Sequence, residues 1–296
     1  MISKISLGTV QFGQDYGIAN IRGKVPKDEV TQILDYAKSA GIECLDTAFN
    51  YGESESVIGK YFKEHPGSFK IISKLSSLKG AQRSLEQSLQ RLEVSELYGY
   101  LLHRFEDIKE NADGWNEMIG LKKQGKVKKI GFSLYSPDEL VFLLDKEISF
   151  DIVQVPYSVF DRRFEEYFDI LRKKKIEIQV RSIFLQGLLF MNSNDLPASL
   201  EAARLPLEKL QRIAEDQKIF TEALCLNFVM LNPHIDTAVI GVDSLNQLKG
   251  NVASLNLKTD VKRLYNQLNK LRIEEENILL PYKWNLKNRV LNESRK

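Results

Sequence analysis

The chain reads as an α/β protein closed into a (β/α)8 TIM barrel with a C-terminal helical extension, and three observations predict it. Eight short aliphatic and β-branched runs recur along 296 residues, each apolar throughout rather than alternating. Such runs suit strands buried on both faces of a parallel sheet. Segments of helical period separate them, too long for hairpin turns, so each strand and the helix after it form a crossover unit. No low-complexity linker divides the sequence, and a barrel of this length is one unit. The expectation is a single domain over 1–296, with 260–296 as the extension.

Taken in order, the strands are KISLGTV near residue 5, IECLDTA near 43, FKIISKL near 70 and ELYGYLLH near 97. KKIGFSL near 130, FDIVQVP near 151, IEIQVRS near 177 and DTAVIGV near 237 complete the set. The first helix, residues 26–41, places Pro26 at its start, acids in its first turn, Val30, Ile33, Leu34 and Ala37 on one face, and Gly41 as a stop. Residues 83–93, 115–126 and 136–146 follow the same plan, the last with Ser136 as N-cap ahead of Pro137. Trp115 is placed to pack its helix on the barrel. Residues 189–205 read as a long loop or short-helix insertion after the seventh strand. Beyond Asp260 the sequence is helical and then irregular.

Composition narrows the function classes. Basic and acidic side chains number 42 and 40, so no global field gathers nucleic acid or an anionic membrane. The N-terminus lacks an apolar leader and the longest apolar runs fall short of a spanning helix, which predicts a cytoplasmic protein, a monomer or weak homo-oligomer. Cys44 and Cys225 lie in apolar surroundings as small hydrophobes. His65 and His234 fall in loops, so no metal set is expected.

In a β/α barrel the C-terminal strand ends share one mouth, where chemistry is sited. Here they carry Asp46, Lys74, His103, Ser133, Gln154 and Arg181, and the FNYG loop can fold Tyr51 over the same opening. Each alone is compatible with a cap or a packing residue; the conjunction points to chemistry. A phenol, with a pKa near 10, acts near neutrality only if its anion is stabilised. An ammonium does that, and a carboxylate keeps a desolvated lysine charged. Asp46, Lys74 and Tyr51 therefore form a proton relay, with His103 positioned to bind a substrate oxygen. Delivery of a proton to oxygen beside a redox cofactor is carbonyl reduction.

LDTAFNYGESE, ISKL and LLHR, followed by GKVKKIGFS, DIVQVPYS and VIGVDSLNQLKGN, resemble the sequence blocks of the aldo-keto reductase superfamily over nearly the whole chain. The resemblance implies an NADPH-dependent enzyme, with NADH as a possible cofactor, that reduces an aldehyde or ketone without a GxGxxG fingerprint. Tyr51 matches the proton donor, and Asp46, Lys74 and His103 complete the catalytic tetrad. Ser133 and Gln154 match the carboxamide-binding positions. Leu134 replaces the asparagine usual after that serine. Arg181 stands where an aromatic ring often stacks on nicotinamide, and its guanidinium would stack there and repel the oxidised ring.

The adenosine-phosphate block maps to Gly241, Asp243, Ser244, Gln247 and Asn251. A phosphate near the N-cap Ser244 would meet free backbone N–H groups. Gly241 and Gln247, however, replace basic residues, and Asp243 adds negative charge that Lys249 would have to offset. Phe12, Gln14, Tyr16, Phe49, Arg104, Phe105 and Tyr135 are candidates to line a pocket for a small carbonyl substrate. Arg104 would suit a phosphate or carboxylate, and Gln14 and Asp15 sugar hydroxyls. The competing reading is a non-catalytic NADPH-binding sensor on the same fold. The tail from Pro281 is a candidate cover for the cofactor or for an oligomer partner.

Overall fold

The computed structural model describes residues 2–67 and 69–284. Eight parallel strands close in chain order: β1 Ile5–Gly8, β2 Cys44–Asp46, β3 Lys70–Leu75, β4 Leu97–Leu102, β5 Val127–Ser133, β6 Ile152–Pro156, β7 Glu177–Arg181 and β8 Thr237–Gly241. All eight expected runs are strands, and β8 closes on β1 with Gly8 opposite Gly241. β3 extends one residue past Lys74, β6 two past Gln154, and His103 follows β4.

The outer helices begin with α1 Val10–Gly13 and α2 Lys27–Ser39, then α3 Ser54–Glu64 and α4 Ala81–Leu92. Next come α5 Glu106–Glu110, α6 Gly114–Lys123, α7 Pro137–Asp145 and α8 Phe168–Lys173. α9 Arg204–Gln217 and α10 Thr221–Leu231 precede β8, and α11 Leu245–Ser254, α12 Lys258–Leu268 and α13 Glu276–Leu279 follow it. Their faces are those the periodicity predicts. α2 buries Val30, Ile33, Leu34 and Ala37. Ser136 caps α7 in a full capping box with Glu139, which also holds the backbone N–H of Tyr135 at 2.6 Å. Trp115 stacks on Phe132 of β5 at 4.2 Å, as the apolar face of α6 requires.

The 189–205 insertion resolves into 3-10 turns at Leu185–Phe190, Ser193–Asp195 and Ala198–Ala203 ahead of α9. The C-terminal extension is tied down by a hydrogen bond from Ile273 N to Phe160 O, and by the buried Trp284, whose indole donates to Ile278 O. Tyr282 meets Tyr135 edge to face at 5.2 Å, so the extension reaches the barrel mouth. Residues 285–296 of the proposed cover lie outside the described residues.

Candidate active site

Strand alternation decides what faces the mouth. In β3, Ser73 points outward to Glu55, donating at 2.7 Å, so its neighbour Lys74 must point into the barrel. There the fully buried ammonium meets Asp46 Oδ1 at 2.5 Å and Thr47 O at 2.9 Å. The other carboxylate oxygen of Asp46 accepts from Gln154 Nε2 at 2.7 Å. Tyr51 lies above: Lys74 Nζ is 5.1 Å from its ring centroid, and the His103 ring stands nearly perpendicular at 5.9 Å. Two glycines make that position reachable. Gly52 turns the chain at φ 54°, and Gly13 of α1 packs against the Tyr51 carbonyl so closely that a Cβ would overlap it.

Electrostatics corrects one expectation. Burial pushes the Tyr51 phenol above its ordinary pKa, Asp46 adds to the rise and Arg181 opposes it. Burial is the largest cause, so at rest the phenol keeps its proton. Burial lowers the pKa of Lys74, with Asp46 pulling the other way. His103 is pushed down to about 3 by burial and by the Lys74 and Arg181 cations, so its imidazole is neutral.

A cavity of about 950 Å³ runs from Asp46, Tyr51 and His103 to the start of α11. Tyr16 and Gln186 in its wall belong to a bridge in which Ile18 N donates to Gln186 O and Gln186 Nε2 to the Tyr16 hydroxyl, both at 2.9 Å. The bridge joins the loops after β1 and β7 across the end of β8. Ser182, Leu185 and Gln186 are left-handed there, each at a cost of roughly 1 kcal/mol or more.

Most predicted site residues come together on this cavity: Arg181, Gly241, Asp243, Ser244, Gln247 and Asn251 all line it. Ser133 and Gln154, register partners on β5 and β6, are buried just below it. Ser133 Oγ and Gln154 Oε1 have no partner. Because an unsatisfied buried polar group costs about 1–3 kcal/mol, such oxygens fit a ligand that brings donors. A nicotinamide carboxamide is such a group.

Other assignments change. The face of Arg181 expected against nicotinamide lies on Tyr135 at 4.1 Å, with its fork donating to Leu134 O. Arg104 pairs with Glu110 in solvent, Phe105 packs on Phe142, Arg91 covers Phe49, and Phe12 is core. Of the substrate candidates, Tyr16 and Tyr135 line the cavity; Gln14 does not. Asp15 accepts from Lys24 N in its own loop. Lys249 lies over Tyr36, 5.7 Å from its ring, away from the cavity. Two of the N–H groups expected free at the start of α11 are partnered: Leu245 N donates to Glu29 and Gln247 N to Ser244 Oγ. Sequence reading missed Gln11, Glu29 and Gln179. Gln11 offered one signal, a polar residue in the otherwise apolar TV-F segment after β1; Glu29 looks like an ordinary first-turn acid.

The Aldo/keto reductase family model matches residues 4–272. The chain belongs to that family. It is 23% identical to the Bacillus subtilis oxidoreductase YqkF over 87% of this chain and 88% of that protein. Identity is 25% to the L-galactose dehydrogenase of Arabidopsis thaliana, covering 85% of each. A Bacillus halodurans aldo-keto reductase solved in holo form superposes with a TM-score of 0.73 at 22% identity, covering 93% of this chain and 95% of the other. Family membership makes the chain an NAD(P)H-dependent oxidoreductase. Among the described residues no cluster of three or more His, Cys, Asp or Glu side chains is arranged to hold a metal ion, and no helix is long and apolar enough to cross a membrane.

Proposed function

We propose that the chain reduces an aldehyde or ketone to an alcohol, with Tyr51 as proton donor. The observation that carries this reading is the buried Lys74–Asp46 pair beneath Tyr51, beside a neutral His103, on the wall of one cavity. A bound reduced nicotinamide supplies the hydride that attacks the carbonyl carbon. The residues of the chain handle the oxygen. His103, uncharged, hydrogen-bonds and orients it. Tyr51 holds its proton at rest, so it donates only when an alkoxide stronger as a base than itself develops. The phenolate left behind is stabilised by the ammonium of Lys74, which Asp46 keeps protonated against the cost of burial.

Ser133 Oγ and Gln154 Oε1, both buried without a partner, would hold the carboxamide. The phenols of Tyr16 and Tyr135 and the Gln186 amide give the mouth hydrogen-bonding groups around an aromatic wall, which suits a sugar-like carbonyl. The sugar named for the Arabidopsis relative supports the same class. Loss of dinucleotide absorbance with a panel of aldoses, ketoses and short aldehydes tests the activity. Tyr51→Phe is expected to lose at least about a hundredfold in kcat with cofactor affinity unchanged. Full turnover by that variant would refute the proton-donor role.

A further inference from the structure

At the end of the cavity remote from Tyr51 the lining is polar but holds no lysine or arginine: Asp243, Ser244, Asn246, Gln247 and Asn251. α11 starts at the N-cap Ser244, whose Oγ accepts from Gln247 N at 3.2 Å, while Gln247 Oε1 accepts from Asp243 N at 2.7 Å. Glu29 reaches over from α2, and its Oε1 accepts from Leu245 N at 3.0 Å. A carboxylate thus already occupies the position at which a helix start would favour an anion. Arg22 is committed to that carboxylate through two bonds of 2.7 and 3.2 Å, and its third donates to Asp243 O at 2.8 Å. The Asp243 carboxylate forms no salt bridge among the described residues; Gln247 Nε2 donates to it at 3.5 Å and the Gln11 side chain also hydrogen-bonds to it, so its remaining lone pairs face the cavity.

Gln11 supplies a second, independent observation. Its side chain is 8% exposed, lies against Gly241, where a Cβ would collide with it, and lines the cavity with its Oε1 unpartnered. The ligand face here therefore offers two acceptors, Gln11 Oε1 and the Asp243 carboxylate. A ribose diol brings two O–H donors to such a pair. A 2′-phosphate brings negative charge and, when fully ionised, no donor.

We propose that Gln11 and Asp243, with Glu29 as a positioning residue, select a 2′-hydroxyl over a 2′-phosphate, so that this chain uses NADH in preference to NADPH. The inference rests on the reductase reading, and binding measurements separate the two. Fluorescence titration of the purified chain should show NADH bound at least about tenfold more tightly than NADPH. The fragments 5′-AMP and 2′,5′-ADP, which lack nicotinamide, should show the same order. Asp243→Ser combined with Gln247→Arg should bring the two dinucleotides within about threefold or reverse them, and Glu29→Gln should narrow the gap.

NADPH binding as tightly as NADH would overturn the selectivity while leaving the reductase reading standing. Failure to bind either dinucleotide would overturn both. Unchanged discrimination in the Asp243 and Glu29 variants would refute the assignment to these residues. The wild-type fragment comparison decides the selectivity even if a variant does not fold.

Discussion

Lys74 is the costliest residue in the site. Its side chain is fully buried and that of Asp46 is 5% exposed, so both charges have given up water. Desolvation of such a pair offsets much of its attraction, and replacement by apolar groups is often neutral or stabilising. Removing one partner alone strands the other charge. Lys74→Met is therefore expected to lose about 3–5 kcal/mol of stability. Asp46→Asn in the same chain should restore most of that, since an asparagine Oδ1 can still accept from Gln154. Neither variant should reduce carbonyls. Urea unfolding and an activity assay on both proteins check the pattern; a double variant that regains turnover would show that the pair serves packing rather than proton transfer.

Pairs of strands carry the next level of positioning. Gln154 and Gln179 are register partners on β6 and β7. Both are fully buried, and Gln154 Nε2 donates to Gln179 Oε1 at 3.3 Å as well as to Asp46. Gln179 Nε2 in turn donates at 2.8 Å to Glu177, whose other oxygen takes Tyr98 at 2.8 Å and Lys129 at 2.6 Å. This chain of bonds fixes which end of the Gln154 amide is left over, and the leftover atom is the acceptor Oε1. Gln179→Met should free that amide to rotate. One neutral hydrogen bond is worth about 1 kcal/mol, so cofactor Kd should rise about fivefold with kcat little changed. An unchanged Kd would show that Asp46 alone orients Gln154.

The same strands show what a sequence discloses. The eight strands, the α2 face and the Ser136 cap were legible because each is written in local periodicity or in adjacent residues. The meeting of Asp46, Lys74 and His103 at one mouth was legible because strand ends converge by topology. Arg104 and Phe105 were misplaced because the turn into α5 aims them at Glu110 and Phe142, a direction that spacing does not encode. The contact between Glu29 and Leu245 spans 216 positions and leaves no local trace.

For the molecule as a whole, burying titratable groups around one mouth ties stability and activity to pH in different ways. His103 has an ordinary pKa of 6.5 when unfolded and about 3 when folded. Between those values the unfolded chain binds the extra proton, so stability rises with pH: the contribution is fully present above 6.5 and is lost as pH falls toward 3. The slope is up to about 1.4 kcal/mol per pH unit. Wild type should lose up to about 2 kcal/mol between pH 7 and pH 5 that His103→Gln does not lose, as read from urea unfolding at each pH. Activity should not follow that curve. A histidine already neutral in the folded enzyme gives kcat/KM no acid limb near 6.5. On the alkaline side Tyr51 titrates above the usual phenol range and Lys74 below the usual lysine range. The rate should therefore fall as Lys74, not Tyr51, gives up its proton. A pH profile of kcat/KM with a limb near 6.5 would mean that His103 is charged at work, and the orienting role assigned to a neutral imidazole would fail.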